Sequence, residues 1–268
     1  SLGTGQRMLH VAGIIKKFSK KEQIVVVASA IYKVTDKLIS FFQKYKAENY
    51  KGALEEIRLL YKIHKQALNN LRLPKKQNKR LEKVLEELFG RLSIYLGVNS
   101  SYSTIDYDYC ISFGERLSSC LLSAALRKID VNAKAIDASN VIVANDEFSD
   151  AKVLIEETKI KAKKSLHPLL SLKVIPVVTG FFAATRDGKV ITLGRGGSDY
   201  SATILANVLD AKEVILWKEV DGVFSGDPKK DKQARFYPEL TYQEALSLAQ
   251  KGAKVLHPEA MIPVVSKE

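Results

Sequence analysis

The apolar runs of the chain are short, rich in β-branched residues and separated by long polar stretches. "IVVVASA" at Ile24–Ala30 and "VIPVV" at Val174–Val178 are nearly continuous apolar runs. Strands that are buried on both faces of a parallel sheet show such runs. We therefore predict buried parallel strands at both places and a further strand at Val214–Trp217. Shorter strand candidates lie at Val131–Ile136 and Val141–Val143.

Residues 37–98 show a different pattern, in which apolar positions recur every three or four residues. That spacing places them on one face of a helix. The first set is Leu54, Ile57, Tyr61, His64 and Leu68, and the second is Leu81, Val84, Leu85, Leu88 and Leu92. Pro74 disfavours helical backbone at the residue before it, so a break between two helices is expected there. We predict a helical excursion from an α/β core, with His64 as a packed histidine rather than a ligand.

Further helical patterns alternate with the strands in the second half of the chain. They cover Asp150–Lys164, Tyr200–Leu209 and Thr241–Gly252. The Asp187-Gly188 pair between apolar flanks predicts a hairpin with a type I′ turn. Alternating strands and helices indicate an α/β fold. Because no clear linker interrupts the pattern, we predict one domain with two lobes.

The composition fits a protein with a sizeable core and argues against several classes. Hydrophobic residues make up 46% of the 268 residues, and no run reaches the roughly 18 apolar residues of a membrane span. Cys110 and Cys120 lack a Cys-x-x-Cys spacing, which argues against zinc and thiol-redox motifs and fits a cytoplasmic, reducing compartment. The net charge of +12 raises nucleic acid as a partner, but the lysines are spread along helical stretches. Anionic small-molecule substrates explain this charge better.

Polar turns adjoin four of the apolar or helical runs and are the candidates for a functional site. They lie after Ala30, before Glu115, at residues 179–181 and at residues 217–227. In open α/β sheets, ligands bind beyond the carboxyl ends of the strands. We therefore expect the four turns to converge on one crevice.

The turn "GRGGSD" at residues 194–199 carries the strongest chemical signal. Its glycines let the backbone approach a ligand, a helix N-terminus offers unpaired N–H groups, and Arg195 offers a planar fork for a carboxylate or phosphate. An ordinary connection with Ser198 as helix cap and Asp199 in the first turn explains those two residues, but not three glycines beside an arginine. The Walker pattern G-x-x-x-x-G-K-[ST] is absent, and the dinucleotide pattern G-x-G-x-x-G fails at Asp199.

Six stretches together resemble the aspartokinases of the amino acid kinase family. They are "SLGTGQRM", "VVVASAIYKVTD", "SFGERLSS", "VTGFFAATRDGKVITLGRGGSDYSA", "WKEVDGVFSGDP" and "GAKVLHP", in the family's order. The resemblance implies a three-layer α/β/α sandwich with a mainly parallel sheet. It also implies a substrate lobe at about residues 1–175 and a nucleotide lobe at about 176–268. The implied reaction moves the γ-phosphoryl group of ATP to the side-chain carboxylate of L-aspartate, which opens the diaminopimelate route to lysine and the routes to threonine and methionine.

The resemblance also implies roles in binding the acceptor. Arg195 suits a carboxylate of aspartate and Glu115 suits its ammonium group. From the residues alone, an acid favoured at a helix start explains Glu115 equally well, and a helix cap explains Thr35. Asp199 is expected to organise polar groups, because a carboxylate that is already ionised needs no general base. The implied substrate-binding set is Ser29, Thr35, Glu115, Arg195, Gly196, Gly197 and Ser198, with Asp199 and Arg195 as catalytic residues.

The resemblance implies that ATP binds along the last two motifs. The implied set is Lys218 and Glu219 beside adenosine, Phe224 near the base, and Lys229, Lys254 and Val255. Family members commonly carry Thr-Asp after the tryptophan and a tyrosine at the position of Phe224, so hydrogen-bond details are expected to differ here. Mg²⁺ is expected to bridge the ATP phosphates rather than sit in a protein cage. His257 is predicted to be structural.

The resemblance also bears on the ends of the chain and on its partners. In the family, Lys-Phe-Gly-Gly-Thr precedes "SLGTG", and its lysine stabilises the transferring phosphoryl group. If that stretch were absent, we would expect ATP and aspartate to bind but turnover to be severely reduced. Family members usually continue into ACT regulatory domains, which these 268 residues do not include. A homo-oligomer that binds neither nucleic acid nor membrane is expected.

Three other functions stay open on the sequence. One is an amino acid kinase with another acceptor, and a second is a kinase-like domain retained for binding or regulation. The third is a nucleic-acid binder, which predicts steeply salt-dependent affinity.

Overall fold

A computed structural model describes residues 2–98, 102–148, 150–218, 222–226, 233–250 and 257–265. The helices are α1 Gly5–Phe18, α2 Val34–Lys46, α3 Tyr50–Asn70, α4 Lys75–Val98, α5 Thr104–Ile111, α6 Phe113–Lys128, α7 Ile155–Ser171, α8 Gly197–Val208, α9 Tyr242–Gln250 and α10 Pro258–Val265. The strands are β1 Val26–Ala28, β2 Ala133–Ile136, β3 Ile175–Thr179, β4 Phe182–Ala184, β5 Val190–Thr192, β6 Val223–Phe224 and β7 Phe236–Tyr237. Within these ranges no helix has the length and apolar character needed to cross a membrane.

A three-stranded parallel sheet in the order β1-β3-β2 lies at the centre of the fold. Val26 pairs with Val177, and Ala133 pairs with Ile175. All five residues of β3 are buried because helices cover both faces of the sheet. Val177 packs in one apolar cluster with α1 and α6, whereas Val178 packs in another with α7 and α8. The predicted α/β class with a parallel sheet is confirmed. A parallel strand forms at both predicted places, but only β3 is buried along its whole length, since Val26 and Val27 of β1 are half-buried.

Two of the other predicted strands do not form as expected. Val214–Trp217 contains no strand, and its Trp217 side chain is 67% exposed. Apolar composition alone does not make a strand, because a strand needs a neighbouring backbone with which to pair. Val141–Val143 contributes one isolated bridge, from Val143 to Ala184, since a 3-10 turn at Ala138–Asn140 bends the chain just before it.

The predicted hairpin around Asp187-Gly188 is confirmed, but its turn type is wrong. β4 and β5 pair antiparallel, with Phe182 opposite Thr192. A type I′ turn needs positive φ at both central residues. Gly188 has a φ of +86°, whereas Asp187 does not have a positive φ.

The helical excursion predicted at residues 37–98 is confirmed as α2, α3 and α4, with Pro74 directly before α4. His64 on α3 is fully buried, and its Nδ1 lies 2.7 Å from the carbonyl oxygen of Leu60. Burial lowers the pKa of His64 to about 4. The ring also packs edge-on against Phe89, so the prediction of a packed histidine is confirmed.

Candidate active site

A cavity of about 440 Å³ follows the carboxyl ends of β1 and β3. Its walls are residues 29–33, 35 and 36 after β1, Glu115 of α6, Phe181 after β3, residues 194–199 and Lys218. Three of the four turns predicted to converge therefore meet here, and the fourth reaches the cavity through Lys218. The loops that follow the carboxyl ends of the strands form this concave surface, as expected for a parallel α/β fold.

The glycine turn enters helix α8 through two residues with left-handed backbone. Gly194 and Gly196 have φ values of +72° and +70°, which glycine adopts without steric cost. Gly196 is the N-cap of α8, so a cap formed by the Ser198 side chain is wrong. A Cβ on Gly196 would lie 2.6 Å from Cβ of His257, and one on Gly197 would lie 3.1 Å from Cα of Phe181. Backbone conformation and crowding therefore both require glycine here.

Arg195 stands between the two left-handed glycines and is exposed at the mouth of the cavity. No carboxylate among the described residues forms an ion pair with its guanidinium group. The N–H groups of the first turn of α8 lie next to it in sequence and are unpaired within the helix. A planar cation beside a helix N-terminus is well suited to an incoming carboxylate or phosphate.

Glu115 lies in the first turn of α6 and is 3% exposed. Its Oε1 accepts a hydrogen bond from the N–H of Ala30 at 3.0 Å. Its Oε2 is buried and has no hydrogen-bond partner among the described residues. Burial raises the pKa of Glu115 to about 8, although the Ala30 N–H opposes the shift. A buried carboxylate with one unpartnered oxygen on a cavity wall is suited to receive a cation.

Arg116, the next residue, belongs to the core behind the cavity rather than to its wall. Its Nε donates to Oδ2 of Asp137 at 2.6 Å, and its guanidinium carbon lies 4.6 Å from the ring centre of Phe182. Burial favours a raised pKa for Asp137, but the charge of Arg116 and hydrogen bonds from Ser139 outweigh it and lower the pKa. The pair fixes the first turn of α6 and thereby the position of Glu115.

Ser29 and Thr35 lie in the same segment of cavity wall. The carbonyl oxygen of Ser29 accepts a hydrogen bond from Oγ of Ser118 on α6 at 2.6 Å. Thr35 stands inside the first turn of α2, whose N-cap is Lys33 with a φ of +64°. The helix-cap explanation of Thr35 is therefore wrong, and its hydroxyl is available to the cavity.

Asp199 lies in the first turn of α8, where its Oδ2 accepts a hydrogen bond from Nζ of Lys218. The two side chains are 19% and 31% exposed and line the same cavity as Glu115 and Arg195. The structure thus brings one residue from the predicted nucleotide set into contact with the predicted catalytic aspartate.

Of the other residues predicted to bind nucleotide, only Phe224 lies in the part of the chain that the structure describes, and it does not line this cavity. Phe224 lies on β6 and packs against Phe236 with ring centres 5.4 Å apart. Glu219, Lys229, Lys254 and Val255 fall outside the described residues. His257 packs beneath Gly196, which agrees with its predicted structural role.

Sequence reasoning did not single out Tyr32, Lys33 and Asp36, which also line the cavity. They lie between or beside Ser29 and Thr35, within the stretch "VVVASAIYKVTD" that carried part of the resemblance. That position was the signal that could have identified them. Nζ of Lys33 lies 5.4 Å from the ring centre of Tyr32, so these two side chains lie together along the wall.

A second cavity, of about 510 Å³, shares Ile31 and Tyr32 with the first. The rest of its lining comes from the start of α1 and from α3, and it includes none of the predicted site residues. The first cavity combines acidic and cationic side chains with a helix N-terminus, so it is the better candidate for chemistry.

Comparison with known proteins gives consistent relatives. The chain is 35% identical over 271 residues to a bifunctional aspartokinase/homoserine dehydrogenase of Buchnera aphidicola, covering 98% of this chain and 32% of that protein. It is 33% identical over 267 residues to the chloroplastic aspartokinase 1 of Arabidopsis thaliana, covering 98% of this chain and 46% of that protein. The chain therefore spans about a third to a half of the length of these curated relatives.

Solved structures and a family model agree with these relatives. A crystal structure of E. coli aspartokinase III in complex with aspartate and ADP superposes with a TM-score of 0.87 at 29% identity, covering 99% of this chain and 57% of that one. A second structure of that enzyme, with lysine and aspartate, gives a TM-score of 0.86 at 28% identity and covers 100% of this chain and 58% of that one. The model of the amino acid kinase family matches residues 1–268. The chain belongs to the amino acid kinase family.

Proposed function

We propose that this protein is an aspartate kinase, which transfers the γ-phosphoryl group of ATP to the side-chain carboxylate of L-aspartate. The products are 4-phospho-L-aspartate and ADP, and the reaction opens the routes to lysine, threonine and methionine. The curated relatives are aspartokinases, and one similar structure holds aspartate and ADP. Because the chain spans only part of each relative, the activity rests on the chemistry of the cavity.

The observation that carries this proposal is the unpartnered Oε2 of Glu115 in a cavity whose mouth holds Arg195. L-Aspartate has one ammonium group and two carboxylates. An ammonium group at Oε2 would supply the missing partner and favour the ionised form of Glu115. Arg195 and the N–H groups at the start of α8 would hold a carboxylate through charge-assisted hydrogen bonds. Ser29, Thr35 and Ser198 offer hydroxyl groups, and Gly196 and Gly197 offer backbone.

The chemical step needs positioning and charge stabilisation rather than proton removal. The side-chain carboxylate of aspartate is already ionised near pH 7 and is itself the nucleophile. Asp199 therefore serves as the organiser of the cationic groups around the transferring phosphoryl group, through its contact with Lys218. Arg195 balances negative charge on the acceptor.

The nucleotide belongs on the side of the cavity from which Lys218 comes. The other residues proposed to bind it follow Lys218 in the chain and are Glu219, Phe224, Lys229, Lys254 and Val255. In this proposal residues of the N-terminal lobe, about 1–175, supply most of the acceptor wall, and the lobe at about 176–268 supplies the nucleotide site. Asp36 and Asp199 line the cavity with the carboxylate oxygens that hydrated Mg²⁺ prefers. When bound with ATP, Mg²⁺ neutralises phosphate charge. We further propose that the protein acts as a homo-oligomer in the cytoplasm.

Hydroxylamine trapping tests the proposal on the full-length protein. The protein is incubated with ATP, Mg²⁺ and hydroxylamine, and receives aspartate, glutamate or N-acetylglutamate in separate tubes. An acyl phosphate reacts with hydroxylamine to give a hydroxamate, which forms a coloured complex when ferric iron is added. We expect colour only in the tube with aspartate. Colour only in a tube with another acceptor would show that this acceptor, and not aspartate, is the substrate.

A matched pair of variants tests the role of Asp199. Asp199→Asn removes the charge inside the cavity, whereas Asp210→Asn removes an exposed charge just beyond the other end of α8. We expect a fall in turnover of roughly a hundredfold for Asp199→Asn and little change for Asp210→Asn. Unchanged turnover in a folded Asp199→Asn protein would contradict the role of Asp199.

A further inference from the structure

The contact between Lys218 and Asp199 joins two segments that nothing else in the site requires to meet. Asp199 lies at the start of α8, and Lys218 follows 19 residues later, in a stretch without strand or helix. Both side chains line the cavity together with Arg195 and Glu115. The ammonium group of Lys218 is therefore delivered to the place where an acceptor and a phosphoryl group would meet.

Stability alone does not explain this contact. The two side chains are 31% and 19% exposed, and ion pairs at such partly exposed positions contribute little to folding. A cation at a helix N-terminus is also disfavoured by the helix dipole, and here the first turn of α8 lies beside Nζ. Asp199 compensates for this repulsion, so its carboxylate acts as a local counter-ion that keeps an ammonium group in the cavity.

The other cations of the cavity differ from Lys218 in their surroundings. Nζ of Lys33 lies over the ring of Tyr32 at 5.4 Å, and Arg195 is exposed at the mouth. Among the described residues that line the cavity, Lys218 is the cation that contacts a cavity carboxylate. A compact ammonium group on a flexible four-carbon stem can exchange that carboxylate for a phosphate oxygen.

We propose that Lys218 is a catalytic residue that contacts the γ-phosphoryl group during its transfer. This inference rests on the proposed function and deepens it, because the resemblance implied only that Lys218 lies beside adenosine. The backbone of residue 218 can flank adenosine while its side chain reaches the phosphoryl group. In the transfer, a carboxylate oxygen of aspartate forms a bond to phosphorus as the bond from phosphorus to the β,γ-bridging oxygen breaks. ADP leaves with that electron pair, and no proton moves.

Lys218 lowers the barrier to this step by electrostatic means. Negative charge on the equatorial and bridging oxygens must be stabilised in the transition state. An ammonium group held ready by Asp199 meets this charge without reorganising at the moment of reaction. Asp199 is then a positioning residue for Lys218, since its charge keeps Nζ in place until the phosphate arrives.

Two substitutions at Lys218 and one control test the proposal on the full-length protein. Lys218→Met keeps a stem of similar length without charge, and Lys218→Arg keeps the charge. Lys212→Met removes an 84% exposed ammonium group six residues earlier and is the matched control. We expect kcat to fall roughly tenfold to a hundredfold in Lys218→Met, with KM for aspartate nearly unchanged. Lys218→Arg should recover part of the loss, and Lys212→Met should match the parent.

Nucleotide binding by calorimetry separates this proposal from the proposed function. If Lys218 contacts the γ-phosphoryl group, Lys218→Met should reduce the affinity for a non-hydrolysable ATP analogue roughly tenfold more than it reduces the affinity for ADP. If the parent forms no aspartyl hydroxamate but the variant shows this selective loss, the aspartate kinase proposal fails and the Lys218 assignment stands. If the parent does form the hydroxamate but Lys218→Met keeps its kcat and its analogue affinity, the Lys218 assignment is overturned. A lower melting temperature with unchanged kcat would likewise overturn it, by making the ion pair structural.

Discussion

Replacing Glu115 with glutamine should make the protein more stable and at the same time poorer at binding aspartate. Burial raises the pKa of Glu115 from 4.5 to about 8. The carboxyl group therefore stays protonated in the folded chain at pH values where the unfolded chain has lost the proton. Its contribution to stability is complete below pH 4.5 and is lost progressively as the pH rises towards 8.

The size of the effect follows from this difference. At pH 7 the solution lies about 2.5 pH units above the ordinary pKa, and each unit is worth about 1.4 kcal/mol, so the loss in the free energy of unfolding is about 3.5 kcal/mol. Glutamine carries no charge at any pH and keeps an oxygen for the Ala30 N–H. Glu115→Gln should therefore gain about 3.5 kcal/mol at pH 7, which raises the melting temperature by roughly 7–14 °C. Without the charge on residue 115, aspartate should bind about tenfold to a hundredfold more weakly.

Urea unfolding of the parent and Glu115→Gln between pH 5 and 8 provides the measurement. Glu213→Gln, which changes an exposed carboxylate, is the control. The stability difference for Glu115→Gln should be small near pH 5 and should grow by about 1.4 kcal/mol per pH unit. A difference that is independent of pH, or a less stable variant at pH 7, would refute the reasoning.

Three further substitutions test other parts of the structure by unfolding measurements. Gly196→Ala should destabilise the protein more than Gly188→Ala, which has open space around it and loses only about 1–2 kcal/mol to left-handed strain; equal losses would contradict the crowding at Gly196. Since burial lowers the pKa of His64 to about 4, its contribution to stability is present above pH 6.5 and lost as the pH falls towards 4. When the pH is lowered from 7 to 5, the parent should therefore lose about 2 kcal/mol of unfolding free energy that His64→Leu does not lose. An equal loss in both proteins would disprove this. Arg116→Met should cost about 1–3 kcal/mol, because Asp137 loses its ion pair and keeps only the hydrogen bonds from Ser139. Adding Asp137→Asn should restore much of this loss, and no recovery in the double variant would show that lost packing dominates.

Local patterns of sequence predicted the parts of the fold that local physics controls. The continuous apolar run at β3 is buried along its whole length, and the run at β1 forms the neighbouring, partly buried strand. The three- and four-residue spacing in α3 and α4 places the buried residues on one face of each helix. The glycine turn was likewise found from adjacent residues, because its conformation is set within six positions. The bounds of strands and the type of the hairpin turn were less accurate.

Features that depend on contacts between distant parts of the chain could not be predicted from local sequence patterns. Val214–Trp217 has the composition of a strand, but pairing depends on another backbone that the local sequence does not specify. Helix α2 begins at Val34, after a left-handed N-cap at Lys33, and not after a cap formed by Thr35. Lys33 makes no side-chain cap hydrogen bond, so the sequence contains no sign of this start. The contact of Lys218 with Asp199 arises from the path of the chain after α8, so it appears only when the segments are placed in space.

The cavity walls are tied to one another by backbone groups from distant parts of the chain. The N–H of Gly180 donates to the carbonyl oxygen of Ala28, and the N–H of Ala30 donates to Glu115. Partly folded forms that lack any of these segments have no binding site, so a ligand of the cavity binds the complete native state. At a hundred times its Kd, such a ligand would add about 2.7 kcal/mol to the stability of the whole protein. The abundance of the folded protein would then rise with the concentration of any ligand that fills this cavity.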